Sequence, residues 1–129
     1  MSFKPILTFL AMVLFLSSLS INALAQGTTS RLTGTVTDNS GAAVKGVAVT
    51  LTNEGTGNSL TTETSDSGSY TFDLIPAGTY SVTAEQQGFK KIISKENVVN
   101  INQPATVNIS LEVGGVAETV TVQGTAEAV

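Results

Sequence analysis

Between Arg31 and Val113 apolar and polar side chains alternate one for one, with turn-forming residues at short intervals. Successive side chains of a pleated strand point to opposite faces, so this rhythm dictates strands with one buried and one wet face. Leu32, Gly34 and Val36 share one face of the first such run, with Thr33, Thr35 and Thr37 opposite. Val47, Val49 and Leu51 oppose Ala48, Thr50 and Thr52 in the second. The polar run Leu60 to Ser65 has little to bury and predicts an edge strand. Two further runs, Tyr70-Phe72-Leu74 and Tyr80-Val82-Ala84, predict the centre of the core, because an aromatic side chain buries roughly 150 Å² or more. The alternation loosens through Ile92, Ile93, Val98, Val99 and Ile101. It returns at Val107, Ile109, Leu111 and Val113, with Asn108, Ser110 and Glu112 outward.

The connections carry matching chemistry: Asp38-Asn39-Ser40-Gly41, Asn53-Glu54-Gly55, Asp66-Ser67-Gly68, Pro76-Ala77-Gly78 and Asn102-Gln103-Pro104. Glycine accepts positive φ, and Asp and Asn side chains bond back to nearby backbone. Gly88 is expected to release a strand so that Phe89 folds back over the sandwich end. Helical spacing is absent from this region, so the prediction is an all-β domain. Its expected form is a sandwich of about seven antiparallel strands with Greek-key connections, over residues 31–113.

The first 25 residues read as an export leader preceding a short linker, 26–30. Lys4 is followed by the apolar run Ile6 to Leu16, and Ala23-Leu24-Ala25 is the small-x-small pattern at which signal peptidase cuts, between Ala25 and Gln26. A membrane span needs about 20 apolar residues; Ser17, Ser18, Ser20 and Asn22 interrupt this one sooner. No membrane span is therefore expected in the mature chain, and the expected address is the periplasm or outer membrane of a Gram-negative envelope.

The whole chain carries 6 basic and 10 acidic side chains, a net charge of −4. Loss of the leader removes Lys4 and leaves Arg31, Lys45, Lys90, Lys91 and Lys95. That balance excludes nucleic acid, which requires a basic face to neutralise phosphates. With no Cys in the chain, no disulfide braces the domain, and stability rests on burial.

The stretches GTVTDNSGAAVKGVAVTLTN (Gly34 to Asn53) and TSDSGSYTFDLIPAGTYSVTAEQQGFK (Thr64 to Lys90) closely resemble the carboxypeptidase regulatory-like domain. That family has a transthyretin-like sandwich and belongs to the carbohydrate-binding-like fold group. The matching positions are Gly34, Val36, Asp38, Gly41, Gly46, Val47, Val49, Asp66, Gly68, Tyr70, Phe72, Pro76, Gly78, Thr79, Tyr80, Val82, Gly88 and Phe89, with Ile75-Pro76-Ala77-Gly78 one residue looser than the tightest form. The resemblance implies a fold and an accessory role more than an activity.

Peptidase chemistry is excluded by residue type, since the chain has neither His nor Cys to hold zinc. No catalytic residue, cofactor or metal site is assigned. Asp66 and Asp73 lack a water-excluding pocket in which to act as acid and base, and turn capping accounts for Asp66. Asp38-Asn39-Ser40 and Asp66-Ser67 fall short of the oxygen density of a calcium loop. Glu85 and Asn108 resemble two members of the isopeptide site of collagen-adhesin B-type repeats. The first strand has no lysine to complete it.

The tail, residues 114–129, begins with Gly114-Gly115 and contains ETVTVQG, Glu118 to Gly124; Val116, Val120 and Val122 with polar residues between them read as one more edge strand or a frayed terminus. Glu118, Thr119, Val120, Thr121 and Val122 resemble the TonB box, the energy-coupling segment of TonB-dependent outer-membrane receptors: an acid, Thr, two residues, then Val. Gln123-Gly124 departs from it. Oar-like receptors have this order of leader, regulatory-like domain and box. The resemblance implies an N-terminal receptor extension, with the tail as the binding segment for a TonB-type protein. An outer-membrane barrel needs about eight strands or more, so the expectation divides between the N-terminal portion of a receptor and a small free-standing periplasmic protein. A carbohydrate-binding module, or an adhesive spacer, is the alternative. Without Trp, a sugar platform would require exposed tyrosine rings.

Overall fold

The computed structural model of the chain describes residues 3–17, 27–115, 117–124 and 127–128. Ala25 and Gln26, the expected cleavage pair, lie outside the described residues. A helix, α1 (Lys4–Ser17), takes up the apolar run. Its Phe3 flank and its Ile6, Leu7, Phe9 and Leu10 are exposed and take no part in the core. No helix among the described residues is long and apolar enough to cross a membrane.

The alternating region, with the tail that follows it, folds into two facing sheets. Its strands are β1 (Thr29–Thr37), β2 (Ala48–Asn53), β3 (Ser59–Glu63), β4 (Ser69–Pro76), β5 (Gly78–Glu85), β6 (Lys91–Val99), β7 (Ala105–Thr106), β8 (Ile109–Ser110), β9 (Thr119–Gln123) and β10 (Glu127–Ala128). One sheet runs β10-β7-β1-β4, with β8 also on β1; the other runs β3-β2-β5-β6-β9. The sandwich expected from the alternation is the architecture found. Among the described residues eight strand segments, β1 to β8, make up the sandwich rather than about seven, β9 and β10 come from the tail, and the sheets are mixed. β7 and β8 lie parallel to β1, and β9 parallel to β6. The expected last strand is interrupted at Val107-Asn108, where Val107 N donates to Thr33 O at 2.8 Å and Asn108 Oδ1 accepts from Thr35 N at 3.0 Å.

The inward rows Leu32-Val36, Val47-Val49-Leu51, Tyr80-Val82-Ala84 and Val107-Ile109-Leu111 meet in one core, as the alternation predicts. Gly34 belongs to this geometry. A Cβ there would overlap Val107 O and the Tyr70 ring, whose hydroxyl donates to Val107 O. Burial raises the Tyr70 phenol above its ordinary value, because the charged form would lose its water.

Two bulges shift the alternation, and at the first an expectation fails. Leu74, expected inward, is 79% exposed, and Ile75 is buried instead. Between the pairs Ser30↔Ile75 and Leu32↔Phe72, β4 carries one residue more than β1. The extra residue shifts the phase of alternation by one, and Leu74 takes φ 54°. Between Tyr80↔Asn97 and Val82↔Ser94, β6 likewise carries one extra residue, and Glu96 takes φ 60°. Inward positions therefore change from Ile92 and Ser94 to Asn97 and Val99. That phase change is why the alternation loosens there. Val113 also departs from expectation, exposed at the end of its run while bridging to Phe89.

Asn97, fully buried, closes the second bulge. Its Nδ2 donates to Tyr80 O at 3.1 Å and Ser94 O at 3.0 Å, carbonyls that the irregular ladder brings to it. Glu54 Oε1 accepts from the Glu96 amide at 2.9 Å on the outside.

Candidate functional site

The segment singled out in the tail is not a loose end in this fold. Thr119 to Gln123 form β9, paired in parallel register with Lys91 to Lys95 of β6. The chain reaches β6 through Gly114, whose amide donates to Gly88 O at 3.1 Å, and a turn in which Glu118 N donates to Gly115 O at 2.9 Å. Alternation then points Val120 inward, where it packs half-buried against the core. Thr119, Thr121, Val122 and Gln123 remain exposed. Glu118 reaches back to Lys90 Nζ at 3.5 Å, and Lys90 also meets Glu112 at 3.5 Å. Glu118, Thr119, Val120, Thr121 and Val122 are thus brought together along one sheet edge. The far edge of β9 pairs with no other strand among the described residues, and so presents main-chain donors and acceptors.

Lys90 and Glu112 were not among the residues assigned to the tail from sequence. Their signal was faint: a lysine directly after Gly88-Phe89, and an outward glutamate at the end of an alternating run, meet only because the sheet edge folds them together.

The remaining candidates separate. Asp73 pairs with Arg31 across the β4 bulge, and Asp66 lies 3.4 Å from Lys45. In the Asp66 turn it is Ser65 Oγ, not the carboxylate, that accepts from the Ser69 amide at 3.3 Å, which corrects the capping role expected of Asp66. Asp38 Oδ1 accepts from Ser40 Oγ at 2.6 Å, Ala42 N at 3.1 Å and Ser40 N at 2.9 Å. Those bonds, the Ser40 hydroxyl foremost, hold its carboxyl below the usual carboxylate value. Among the described residues no three Asp, Glu, His or Cys side chains cluster as metal ligands would. Glu85 pairs with Lys91 at 2.7 Å in one sheet, while Asn108 serves β1 in the other.

Tyr70, Phe72 and Tyr80 are buried and Phe89 is half-buried against the core, so these rings form no flat platform for a sugar. An uncharged cleft of about 360 Å³ opens beside the β2–β3 hairpin, floored by Leu51, Ile75 and Tyr80 and rimmed by Asn53, Thr56 and Asn58.

The Bacillus anthracis TIE protein superposes with a TM-score of 0.58 at 22% identity, over 67% of this chain and 17% of that one. A putative carbohydrate binding protein from Bacteroides uniformis gives 0.54 at 23%, over 66% and 42%. The major pilin SpaD from Corynebacterium diphtheriae gives 0.51 at 17%, over 66% and 30%. The matched region is less than half the length of each, and at these identities the likeness shows the fold alone. No curated protein matches the chain in sequence. The model of the carboxypeptidase regulatory-like domain matches residues 31–112, from the first core strand through the Leu111 end of the sandwich, and the chain belongs to that family.

Proposed function

We propose that this is a non-catalytic, exported accessory domain of a cell envelope, resembling the N-terminal extension of a TonB-dependent outer-membrane receptor. In this reading Glu118 to Val122 form the segment taken by a TonB-type energy-coupling protein. The observation that carries the reading is the state of that segment: already extended, bonded on one edge only, and lying at the margin of the sheet. A strand with a free edge adds to a partner's sheet through main-chain bonds, while alternate side chains supply specificity. The exposed apolar face of α1 supports its reading as a leader rather than a part of the domain. Membership of the regulatory-like family supports a binding role over a catalytic one.

A carbohydrate ligand is the other reading, and the uncharged cleft by Asn53 and Asn58 favours it. The burial of Tyr70 and Tyr80 removes the stacking surface such modules use, so the strand-binding reading is preferred. Capture of the purified chain by an immobilised TonB C-terminal domain tests it. Deletion of residues 118–124 should abolish capture; undiminished capture by the deleted chain would remove the tail from the account.

A further inference from the structure

We infer that the sandwich holds its own C-terminal segment in a removable dock: β9 on β6 and β9 free are two states of the chain, and the sandwich competes with the partner for the same strand. The inference rests on the reading that Glu118 to Val122 are what the partner takes.

Three independent features point to a detachable strand. The first is thin anchorage. Val120 is the one β9 side chain packed against the core, and Val122, on the same face, is still 44% exposed. The pairing with β6 is parallel, running from the Lys91 amide on Glu118 O to the Gly124 amide on Lys95 O, and parallel ladders are somewhat weaker per residue; beyond it, among the described residues, the two-residue β10 on β7 ties down the rest of the tail. The second is the latch. Half-buried Lys90 meets the exposed Glu118 and Glu112 at 3.5 Å, and pairs this long with two partners in water hold little. Gly114 and Gly115 just upstream supply a hinge of low torsional cost.

The third feature lies in β6, which is built to serve as an edge without β9. Lys91 and Lys95 stand on it, and it carries the Glu96 bulge. Charged side chains and bulges are the devices that keep an exposed strand from pairing with strangers. The core cluster closes with Val120 only at its periphery. Release of β9 together with the two-residue β10 contact on β7 would therefore leave a complete sandwich with a guarded edge, and a segment free on both sides. A partner that must enclose the segment then binds in proportion to the fraction undocked.

The chain has no cysteine, so a single engineered disulfide reports cleanly. Ile93 and Thr121 are register partners on β6 and β9, and Ile93→Cys with Thr121→Cys staples the dock shut. Two readouts separate the possible failures. In hydrogen exchange of the unmodified chain, the β9 amides should exchange about 100-fold faster than those of β5, as a locally opening unit does; equal protection would overturn the two-state dock whatever the partner does. In capture by the TonB C-terminal domain, the oxidised staple should lose at least about ten-fold against its reduced form, and Lys90→Ala should gain up to about five-fold, the most an exposed pair contributes. Equal capture of oxidised and reduced chains would overturn the competition and show that the partner adds to the outer edge of the docked strand. If the unmodified chain is not captured at all, the proposed function falls, and the competition for a partner falls with it.

Discussion

Asn97→Ala should be the most damaging single truncation outside the apolar core. Asn97 is fully buried, and its Nδ2 bonds Tyr80 O at 3.1 Å, Ser94 O at 3.0 Å and Ser94 Oγ at 3.2 Å. The alanine variant removes the donor and leaves the two carbonyls facing a small hole. An unsatisfied buried polar group costs about 1–3 kcal/mol, so the two together set a loss of about 3 kcal/mol before any cavity contribution. For a domain of this size that corresponds to a fall in Tm of roughly 12–24 °C. Urea unfolding followed by far-UV circular dichroism gives the free energy directly. Asn97→Asp keeps the size but turns a carboxylate oxygen toward the same carbonyls, and should lose at least as much. The neighbouring Val98→Ala, at an exposed site, should stay within about 0.5 kcal/mol of the parent. If Asn97→Ala also fell within that margin, the bulge would not depend on the side-chain plug, and the account of β6 would be refuted.

Two further outcomes follow from the same geometry. Gly34→Ala places a methyl group into Val107 O and the Tyr70 ring, and relief requires moving backbone; a loss of about 2–3 kcal/mol is expected in the same unfolding assay, and a neutral result would show that Val107 and Tyr70 do not close tightly over β1. Asp38 titrates below its ordinary 3.8 in the folded chain, so it contributes stability above that pH which is lost as pH falls through the lower folded value. Asp38→Asn keeps the Oδ1 acceptor but does not titrate, so its stability should fall less steeply than the parent's between about pH 5 and pH 2. Parallel curves would show that the loop carboxylate is not linked to folding.

The sandwich, most of its inward rows and the family were legible because alternation reports directly on burial while a strand keeps its phase. Leu32, Val49, Val82 and Leu111 fall where the pattern puts them. The errors fall where phase slips. Leu74 and Ile75 exchange places because an inserted residue inside β4 leaves no composition signal: Leu74 is neither Gly nor Asn, yet it adopts positive φ. Asn97 carries no sequence signal of its role, because polarity alone does not distinguish a solvated amide from one that plugs a ladder. That the tail adds one more edge strand was among the sequence expectations, but its partner and parallel register were not legible. Valine and threonine state that a segment prefers to be extended, but parallel pairing with β6 depends on where Lys90, Glu112 and the turn at Gly115 come to rest.

The position of β1 has a consequence for how the chain is made. On one side its partner is β4, but on the other the side chain of Asn108 bonds Thr35 across 73 residues of sequence, and β7 and β8 complete the flank. The strand synthesised first is shielded only by nearly the last part of the domain to emerge. Until Ala105 to Leu111 are available the sandwich has no way to close, and long-range pairing of this kind folds slowly because the loop must be ordered before the contacts form. A nascent chain with that wiring stays threadable through a narrow pore for most of its synthesis, and a fragment stopped before Ala105 displays an unprotected row of backbone groups beside its own hydrophobic seam.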